Sequence, residues 1–350
     1  MQHTDQSSLE DGMARLAVVE ASIRGRSEQG EFSGAVLVAR KGRPLLCRGY
    51  GWAHLEQSTR NTSQTKFQIA SISKQFTALA ILILQEQGRL QLHQRLNALV
   101  PTDLPAWEDV TLHHLLTHTS GIPDLPFWPR YIDSAANGPI TPAYLRELFG
   151  ASPLQSAPGA TFAYSNWGYI LLGYVIEQVS GVPYAEFLQR WIFAPASMTG
   201  SGYTDRRRVL PGRAASYAIE SGAWVNASFL DLEDAYAAGA LYSTVEDLLR
   251  WDRVLSGATL VTSAALDAMF TPYVAVGDGS SYGYGWQIAA RFGRQVQYHG
   301  GRVDGFRVQL ARYPDDQVCV AVLCNLQSCD PEPLADELVA ALFAADQDRA

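Results

Sequence analysis

A serine and a lysine lie one helical turn apart at the start of an apolar segment. Ser71 and Lys74 follow the order Ser-x-x-Lys, and the residues after them, to position 87, are mostly apolar. Side chains three residues apart on a helix share a face, and the free N–H groups of the helix start lie beside the serine. A partly desolvated lysine can take the proton of a serine hydroxyl. A helix cap and a solvated lysine would give the same pattern, but a lysine on an apolar face is costly unless it is used.

A second motif, Tyr164-Ser165-Asn166, offers groups that suit the same chemistry. A tyrosine beside a lysine can have its pKa lowered enough to pass protons. The amide of Asn166 contains both a donor and an acceptor, so it suits a role in holding Lys74 or a substrate amide. An Asx-type turn among packed aromatic residues is the alternative interpretation.

The third motif, His299-Gly300-Gly301-Arg302, comes at the end of a segment that reads as a strand. Its two glycines would let a substrate approach the strand backbone closely, and a backbone N–H group there can help to stabilise an oxyanion. A simple turn after a strand would explain the same residues. Each motif is weak alone, and the three together indicate one site.

The segments around these motifs predict one antiparallel sheet built from both ends of the chain. The pattern predicts helices at about 1–30, 71–87 and 332–345, strands at 33–40, 45–51, 283–290, 295–299, 307–313 and 317–324, and mostly helical segments and loops at 90–252. The first helix would be amphipathic, with Met13, Leu16, Val18 and Ile23 as its apolar residues. Strands at both ends with helices between them indicate an α/β (α+β) fold with an inserted helical lobe. We therefore expect a single two-lobed catalytic unit over 1–350, with an α/β lobe at about 1–70 and 255–350 and a helical lobe at about 71–254.

The composition excludes several classes of protein. Hydrophobic residues make up 47% of the 350, and the net charge is −8, with no run of Lys or Arg, so nucleic acid is not an expected partner. The longest apolar stretches, 78–84 and 338–345, are far shorter than the roughly 20 residues of a membrane span. Because the N-terminus lacks the apolar core of a signal peptide, we expect a cytoplasmic protein, or a periplasmic or secreted one if a leader was removed.

Four other patterns could suggest a different nucleophile, a metal site, a disulfide or a lid. Ser281 fits Gly-x-Ser-x-Gly, but a glycine-rich turn leading into a strand surrounds it, not the strand and helix of a nucleophile elbow. His114 and His118 are spaced for one helix face without the glutamate of a zinc protease, so no metal site is expected. The four cysteines, Cys47, Cys319, Cys324 and Cys329, match no metal pattern, and free thiols are expected. The aromatic segment 125–131 fits either a surface loop or a lid over the site.

The three motifs, in this order, resemble those of the serine β-lactamase and penicillin-binding-protein superfamily. The resemblance is closest to its class C-related branch, which includes D,D-carboxypeptidases, D-aminopeptidases and esterases. It covers about residues 30–345 and extends to 115–123, similar to the family's LLTHTSG segment, and to 239–248. The resemblance implies a β-lactamase-like fold and a covalent acyl-enzyme that needs no cofactor and acts on a small-molecule substrate.

The resemblance also implies a role for each motif residue. Ser71 would be the acylated nucleophile, and Lys74 its base, sharing the proton with Tyr164. Asn166 would orient Lys74 or the substrate amide. The backbone N–H groups of Ser71 and Arg302 would form the oxyanion hole.

One departure from the family pattern bears on the substrate. Class C β-lactamases have Lys-Thr-Gly where this sequence has His299-Gly300-Gly301, and an unperturbed histidine, with a pKa near 6.5, is mostly neutral at pH 7. Arg302 could restore a positive charge. We therefore expect hydrolysis of small amides, peptides or esters, with a class C-like β-lactamase as the alternative and a non-catalytic binding or sensing module of the same fold as a second. The sequence does not specify the oligomeric state.

Overall fold

The computed structural model describes residues 2–100, 102, 104–125, 141–205, 207–228 and 235–347. Its strands are β1 (Gly34–Arg40), β2 (Arg43–Tyr50), β3 (Trp52–His54), β4 (Thr59–Arg60), β5 (Phe67–Gln68), β6 (Gly202–Tyr203), β7 (Tyr217–Glu220), β8 (Ala223–Asn226), β9 (Leu241–Ser243), β10 (Val274–Ala275), β11 (Ser281–Tyr282), β12 (Gln287–Arg291), β13 (Arg294–Val303), β14 (Phe306–Tyr313) and β15 (Val318–Cys324). Its α-helices are α1 (Gln2–Glu28), α2 (Ser73–Glu86), α3 (Leu112–Leu116), α4 (Pro142–Phe149), α5 (Asn166–Ser180), α6 (Tyr184–Leu188), α7 (Tyr236–Gly239), α8 (Val245–Gly257), α9 (Ser263–Met269) and α10 (Pro331–Gln347). Short 3₁₀ turns at Ala70–Ile72, Leu96–Ala98 and Pro105–Trp107 and a π-turn at Gln189–Phe193 connect them.

An antiparallel sheet joins both ends of the chain, which confirms the predicted fold class. Within the described residues it has eight strands in the order β10-β11-β12-β13-β14-β15-β1-β2. Strand β1 from the start of the chain pairs with β15 from its end, Gly34 opposite Cys324 and Arg40 opposite Val318. The N-terminal hairpin therefore continues the sheet formed by the C-terminal strands. The predicted boundaries between the two lobes remain a prediction.

The alternation of strand side chains divides the interior into two cores. In β1, Ala35 and Leu37 face the core that contains α2, while Val36 and Val38 face the core beneath α1 and α10. Successive side chains of a strand point to opposite faces, so a strand covered on both sides is apolar throughout. This explains the unbroken apolar sequence of β1.

Helix α1 is amphipathic along a different stripe from the one predicted. Leu16 and Ile23 are buried, and Val19 packs partly against the same core, an i, i+3, i+7 pattern. Met13 and Val18 are exposed, so the prediction that they belong to the apolar face is wrong. Their positions on the helix turn them away from α10.

The segment predicted to be mostly helical also contains short strands. Strands β6 and β9 of that segment form a small sheet with the earlier β5, in the order β5-β9-β6, and β7 and β8 form a hairpin. They are two to four residues long, too short for a period-two pattern to be recognised in the sequence. This small sheet matters for the site, because the Ile69 N–H donates to the Leu241 carbonyl just before the Ser71 turn.

Two predictions about the chain as a whole can be compared with the structure. All four cysteines are free thiols, as predicted; Cys47 is half-buried and the others are buried. Among the described residues, no helix is long and apolar enough to cross a bilayer. The aromatic residues 127–131 of the segment interpreted as a surface loop or a lid lie outside the described residues.

Candidate active site

Ser71 lies on a strained turn immediately before helix α2. The sequence predicted that the α-helix would include Ser71, but a 3₁₀ turn, Ala70–Ile72, comes first and α2 begins at Ser73. Ala70 has a φ of 46°, a left-handed conformation that is uncommon for a residue with a Cβ. Such strain persists only where the surroundings hold it and is concentrated at functional sites. Here it presents Ser71 at the surface of an otherwise buried helix.

The ammonium group of Lys74 lies at the centre of the site and is fully buried. Its Nζ donates to Ser71 Oγ at 3.2 Å, to Asn166 Oδ1 at 2.8 Å and to the Ala238 carbonyl at 2.9 Å. Burial lowers the pKa of Lys74 to about 7, although the negative charge of Asp124 opposes this shift. Near neutral pH, much of Lys74 is therefore the free amine that can accept the Ser71 proton.

The sequence left open whether Asn166 holds Lys74 or a substrate amide, and in the structure it contacts Lys74. It is the first residue of α5, whose start is capped by the Ser165 hydroxyl accepting from the Gly168 N–H at 3.4 Å. Its amide oxygen faces Lys74, and its Nδ2 donates to Asp124 Oδ2 at 3.0 Å. Asn166 thus links a buried cation to a carboxylate that the sequence motifs did not single out.

Tyr164 borders both Ser71 and Lys74, but its acidity differs from the prediction. The Lys74 Nζ lies 4.9 Å from the centre of its ring, and its hydroxyl is close enough to the Ser71 side chain to interact with it. The ring of Tyr164 is partly exposed in the cleft, but desolvation raises the pKa of its hydroxyl above the ordinary value and outweighs the opposite effect of the Ser71 side chain. The predicted lowering of this pKa is therefore wrong. Tyr164 is a neutral hydroxyl that can accept one proton while donating another.

The third motif lies within strand β13, not at a strand end or turn as predicted. Pairing with β12 stops at Tyr298, while pairing with β14 continues through Val303. The edge of β13 from His299 onward is consequently open on the side of Ser71. An open strand edge suits an oxyanion hole, because its unpaired N–H groups can point into a cleft.

His299 is buried, and both nitrogens of its ring are engaged. Its Nδ1 lies 2.6 Å from the Gly300 carbonyl, an acceptor, so Nδ1 carries the hydrogen. Its Nε2, 3.0 Å from the Tyr282 hydroxyl, therefore accepts. Burial and then the charge of Lys74 lower the pKa of His299 to about 4. The expectation of an ordinary pKa near 6.5 is wrong, and His299 is neutral throughout the physiological range.

A cleft of about 560 Å³ joins the three motifs. Its lining includes Ser71, Tyr164, His299, Gly300, Gly301 and Arg302. Lys74 is joined to this cleft by its contact with Ser71, and Asn166 by its contact with Lys74. The structure thus brings together all the residues that the three sequence motifs nominated.

His118 is a site residue whose contacts the sequence did not reveal. It is buried in the LLTHTSG segment with a φ of 57°, and its ring centre lies 4.3 Å from that of Tyr164, with the two rings tilted by 32°. Its Nδ1 accepts from the Ser165 N–H at 3.1 Å. Burial, followed by the charges of Lys74 and His299, holds the pKa of His118 well below its usual range. A neutral imidazole therefore supports the Tyr164-Ser165 turn from below.

The competing patterns form no second site in the part of the chain that the structure describes. Ser281 lies in β11 and is followed by β12 with no helix between, so it is not on a nucleophile elbow. His114 Nδ1 accepts from the Thr111 N–H at the start of α3, whereas His118 Nδ1 accepts from the Ser165 N–H, so these two nitrogens do not face a common site. Among the described residues, no three His, Cys, Asp or Glu side chains are grouped so that they could hold a metal ion.

The chain belongs to the beta-lactamase family, whose profile matches residues 19–345. The family match and the site define a serine hydrolase, which confirms the superfamily predicted from the motifs. Penicillin-binding protein 4* of Bacillus subtilis (strain 168) is 33% identical over 319 residues, 85% of this chain and 69% of that protein. A D-aminopeptidase of Gluconobacter oxydans (strain 621H) is 29% identical over 88% of this chain and 58% of that enzyme. An octameric penicillin-binding protein homologue from Pyrococcus abyssi superposes with a TM-score of 0.81 at 30% identity, over 94% of this chain and 77% of that one.

Proposed function

We propose that the protein hydrolyses small ester, amide or peptide substrates through a covalent acyl-enzyme on Ser71. The observation that carries this proposal is the 3.2 Å contact between Lys74 Nζ and Ser71 Oγ. A buried lysine with a pKa of about 7 is a competent base near neutral pH. A binding or sensing module would gain nothing from such a costly buried amine beside a serine, which argues against the non-catalytic alternative.

The contacts support a two-step reaction. Neutral Lys74 takes the proton of Ser71 as Oγ attacks the carbonyl carbon, and the resulting oxyanion accepts hydrogen bonds from the N–H groups of Ser71 and Arg302. When the bond to the leaving group breaks, the Tyr164 hydroxyl gives it a proton and takes one from the Lys74 ammonium. A water molecule then attacks the acyl ester, using the same pair of groups in reverse, and releases the acid and free Ser71.

The neutral imidazole of His299 favours neutral substrates more than a lysine at the same position would. His299 occupies the position of the class C lysine, and its pKa of about 4 keeps it uncharged. Arg302, exposed at the strand edge, is then the cation of this motif that is available to a carboxylate. The D-aminopeptidase relative supports amides as substrates, whereas the penicillin-binding relative supports recognition of a penicillin, which a β-lactamase would also require.

Intact-mass analysis after treatment with a fluorophosphonate probe and, separately, with a penicillin tests the proposal. We expect one adduct from the probe on the wild type and none on Ser71→Ala, with Ser281→Ala as the matched control that labels normally. Labelling of Ser71→Ala at the wild-type rate would contradict the proposal, and a label on Ser281 would support the nucleophile-elbow alternative. A panel of p-nitrophenyl esters, D-aminoacyl amides and nitrocefin would then rank the substrate classes.

A further inference from the structure

The carboxylate of Asp124 lies against the first residue of helix α5. Its Oδ1 accepts from the Asn166 N–H at 2.7 Å and from the Trp167 N–H at 3.4 Å. Its Oδ2 accepts from the Asn166 side-chain Nδ2 at 3.0 Å. Asp124 therefore holds the backbone and the side chain of Asn166 at once. A helix cap requires only the backbone contacts, so the contact with the side chain calls for a separate explanation.

The two ends of the Asn166 amide face opposite charges. Its oxygen accepts from Lys74 and its nitrogen donates to Asp124. Rotation of the amide by half a turn would place NH₂ against the ammonium and the oxygen against the carboxylate, so that both contacts became repulsive. We propose that Asp124 is a positioning residue that fixes the Asn166 amide with its oxygen toward Lys74. This inference rests on the proposed hydrolase function and names a residue on which its base depends.

The charge of Asp124 acts on Lys74 in the same direction. Of the described groups that face Lys74, four are neutral near pH 7, namely His118, His299, Tyr164 and Tyr169. Asp124 is the anion that raises the pKa of Lys74 against the effect of burial. Loss of this carboxylate, or of the amide oxygen that it orients, disfavours the ammonium form. Both losses should move the acidic limb of the activity profile to lower pH.

The test compares Asp124→Asn with Asp124→Ala, using kcat/KM for p-nitrophenyl acetate from pH 5 to 9. In Asp124→Asn, the new side chain can place its NH₂ group against the Asn166 NH₂, and this repulsion drives the Asn166 amide to rotate. In Asp124→Ala, the Asn166 amide loses its partner and is only free to rotate. We expect at least a tenfold loss at pH 8 for Asp124→Asn and a smaller loss for Asp124→Ala. Both acidic limbs should lie at lower pH than that of the wild type. The exchange variant Asp124→Asn/Asn166→Asp restores an acceptor toward Lys74, so it should recover activity and shift the limb above the wild-type position.

Thr262→Ala is the matched control, because Thr262 caps helix α9 by accepting from the Ala265 N–H at 3.3 Å, away from the cleft. It should lower Tm without moving the limb. If the Asp124 variants lose activity only in proportion to Tm, with the limb unmoved, Asp124 is merely a helix cap and the proposal is overturned. If Asp124→Asn does not fold, the limb of Asp124→Ala alone decides. A wild type whose Ser71 is never acylated would instead overturn the proposed function, and this inference with it.

Discussion

A Cβ atom on Gly301 would lie 2.7 Å from the carbonyl oxygen of Ile69, two residues before the proposed nucleophile. The same atom would lie 3.0 Å from the Cβ of Ala70. Strand β13 and the Ser71 turn therefore meet without room for even one methyl group between them. This contact sets the spacing between the two N–H groups that are proposed to hold the oxyanion, on Ser71 and Arg302.

Gly301→Ala should reduce kcat/KM strongly. One of two backbone segments must move, and a displacement of about 1 Å in a catalytic site can cost roughly a hundredfold in rate. We expect about that loss, together with about 1–3 kcal/mol of stability from overpacking. Gly300→Ala is the comparison, since its Cβ would meet the side-chain Oε1 of Gln309 at 2.9 Å, which can move aside. Equal losses in the two variants, measured as initial rates and Tm, would contradict this account.

The pH dependence of turnover should follow Lys74. The active form is the free amine, so kcat/KM for a neutral ester should rise with pH and level off above about 7, the pKa of Lys74. One unit below that pKa, about a tenth of the amine is free, so the rate at pH 6 should be roughly tenfold below the plateau. His299, with a pKa of about 4, does not titrate in this interval. A flat profile between pH 6 and 8 would show that the protonation of Lys74 does not govern acylation.

Lys74 and Tyr164 should behave as one unit. Lys74→Ala and Tyr164→Phe should each lower kcat steeply, and the double variant should cost little more than the worse single one, because residues that share a proton are non-additive. Since the pKa of Tyr164 is raised, its contribution comes from a neutral hydroxyl, which phenylalanine lacks. Single-turnover rates of the wild type, the two single variants and the double variant test this prediction. Fully multiplicative losses would rule out a shared relay.

Selectivity at the third motif should depend on Arg302 and not on His299 protonation. We expect p-nitrophenyl acetate to be cleaved better than nitrocefin, by the same ratio at pH 8 and at pH 5.5. Arg302→Ala should lower kcat/KM for anionic nitrocefin by about tenfold relative to the ester, the loss of one charge-assisted hydrogen bond. His299→Lys should reduce the ratio of kcat/KM for the ester to kcat/KM for nitrocefin. Nitrocefin turnover as fast as that of the ester, unaffected by Arg302→Ala, would make the β-lactamase alternative the better one.

The residue types that meet in the cleft and most strands of the large sheet could be predicted from local sequence patterns. The Ser-x-x-Lys spacing predicts that Ser71 and Lys74 lie close together, because three residues make about one turn of an α- or a 3₁₀-helix. The apolar runs of β1 and β15 are typical of strands that are buried on both faces. These are local properties, and they persist in the folded chain.

The charges of the site residues and the contacts that support them depend on how the chain folds and could not be predicted from the sequence. The pKa of Lys74 falls to about 7, that of His299 falls to about 4 and that of Tyr164 rises, each chiefly through burial by elements distant in sequence. Asp124 reaches Asn166 across 42 residues, and His118 supports Ser165 across 47. Desolvation and hydrogen-bond partners depend on what the fold packs around a group, so spacing along the chain could not reveal them.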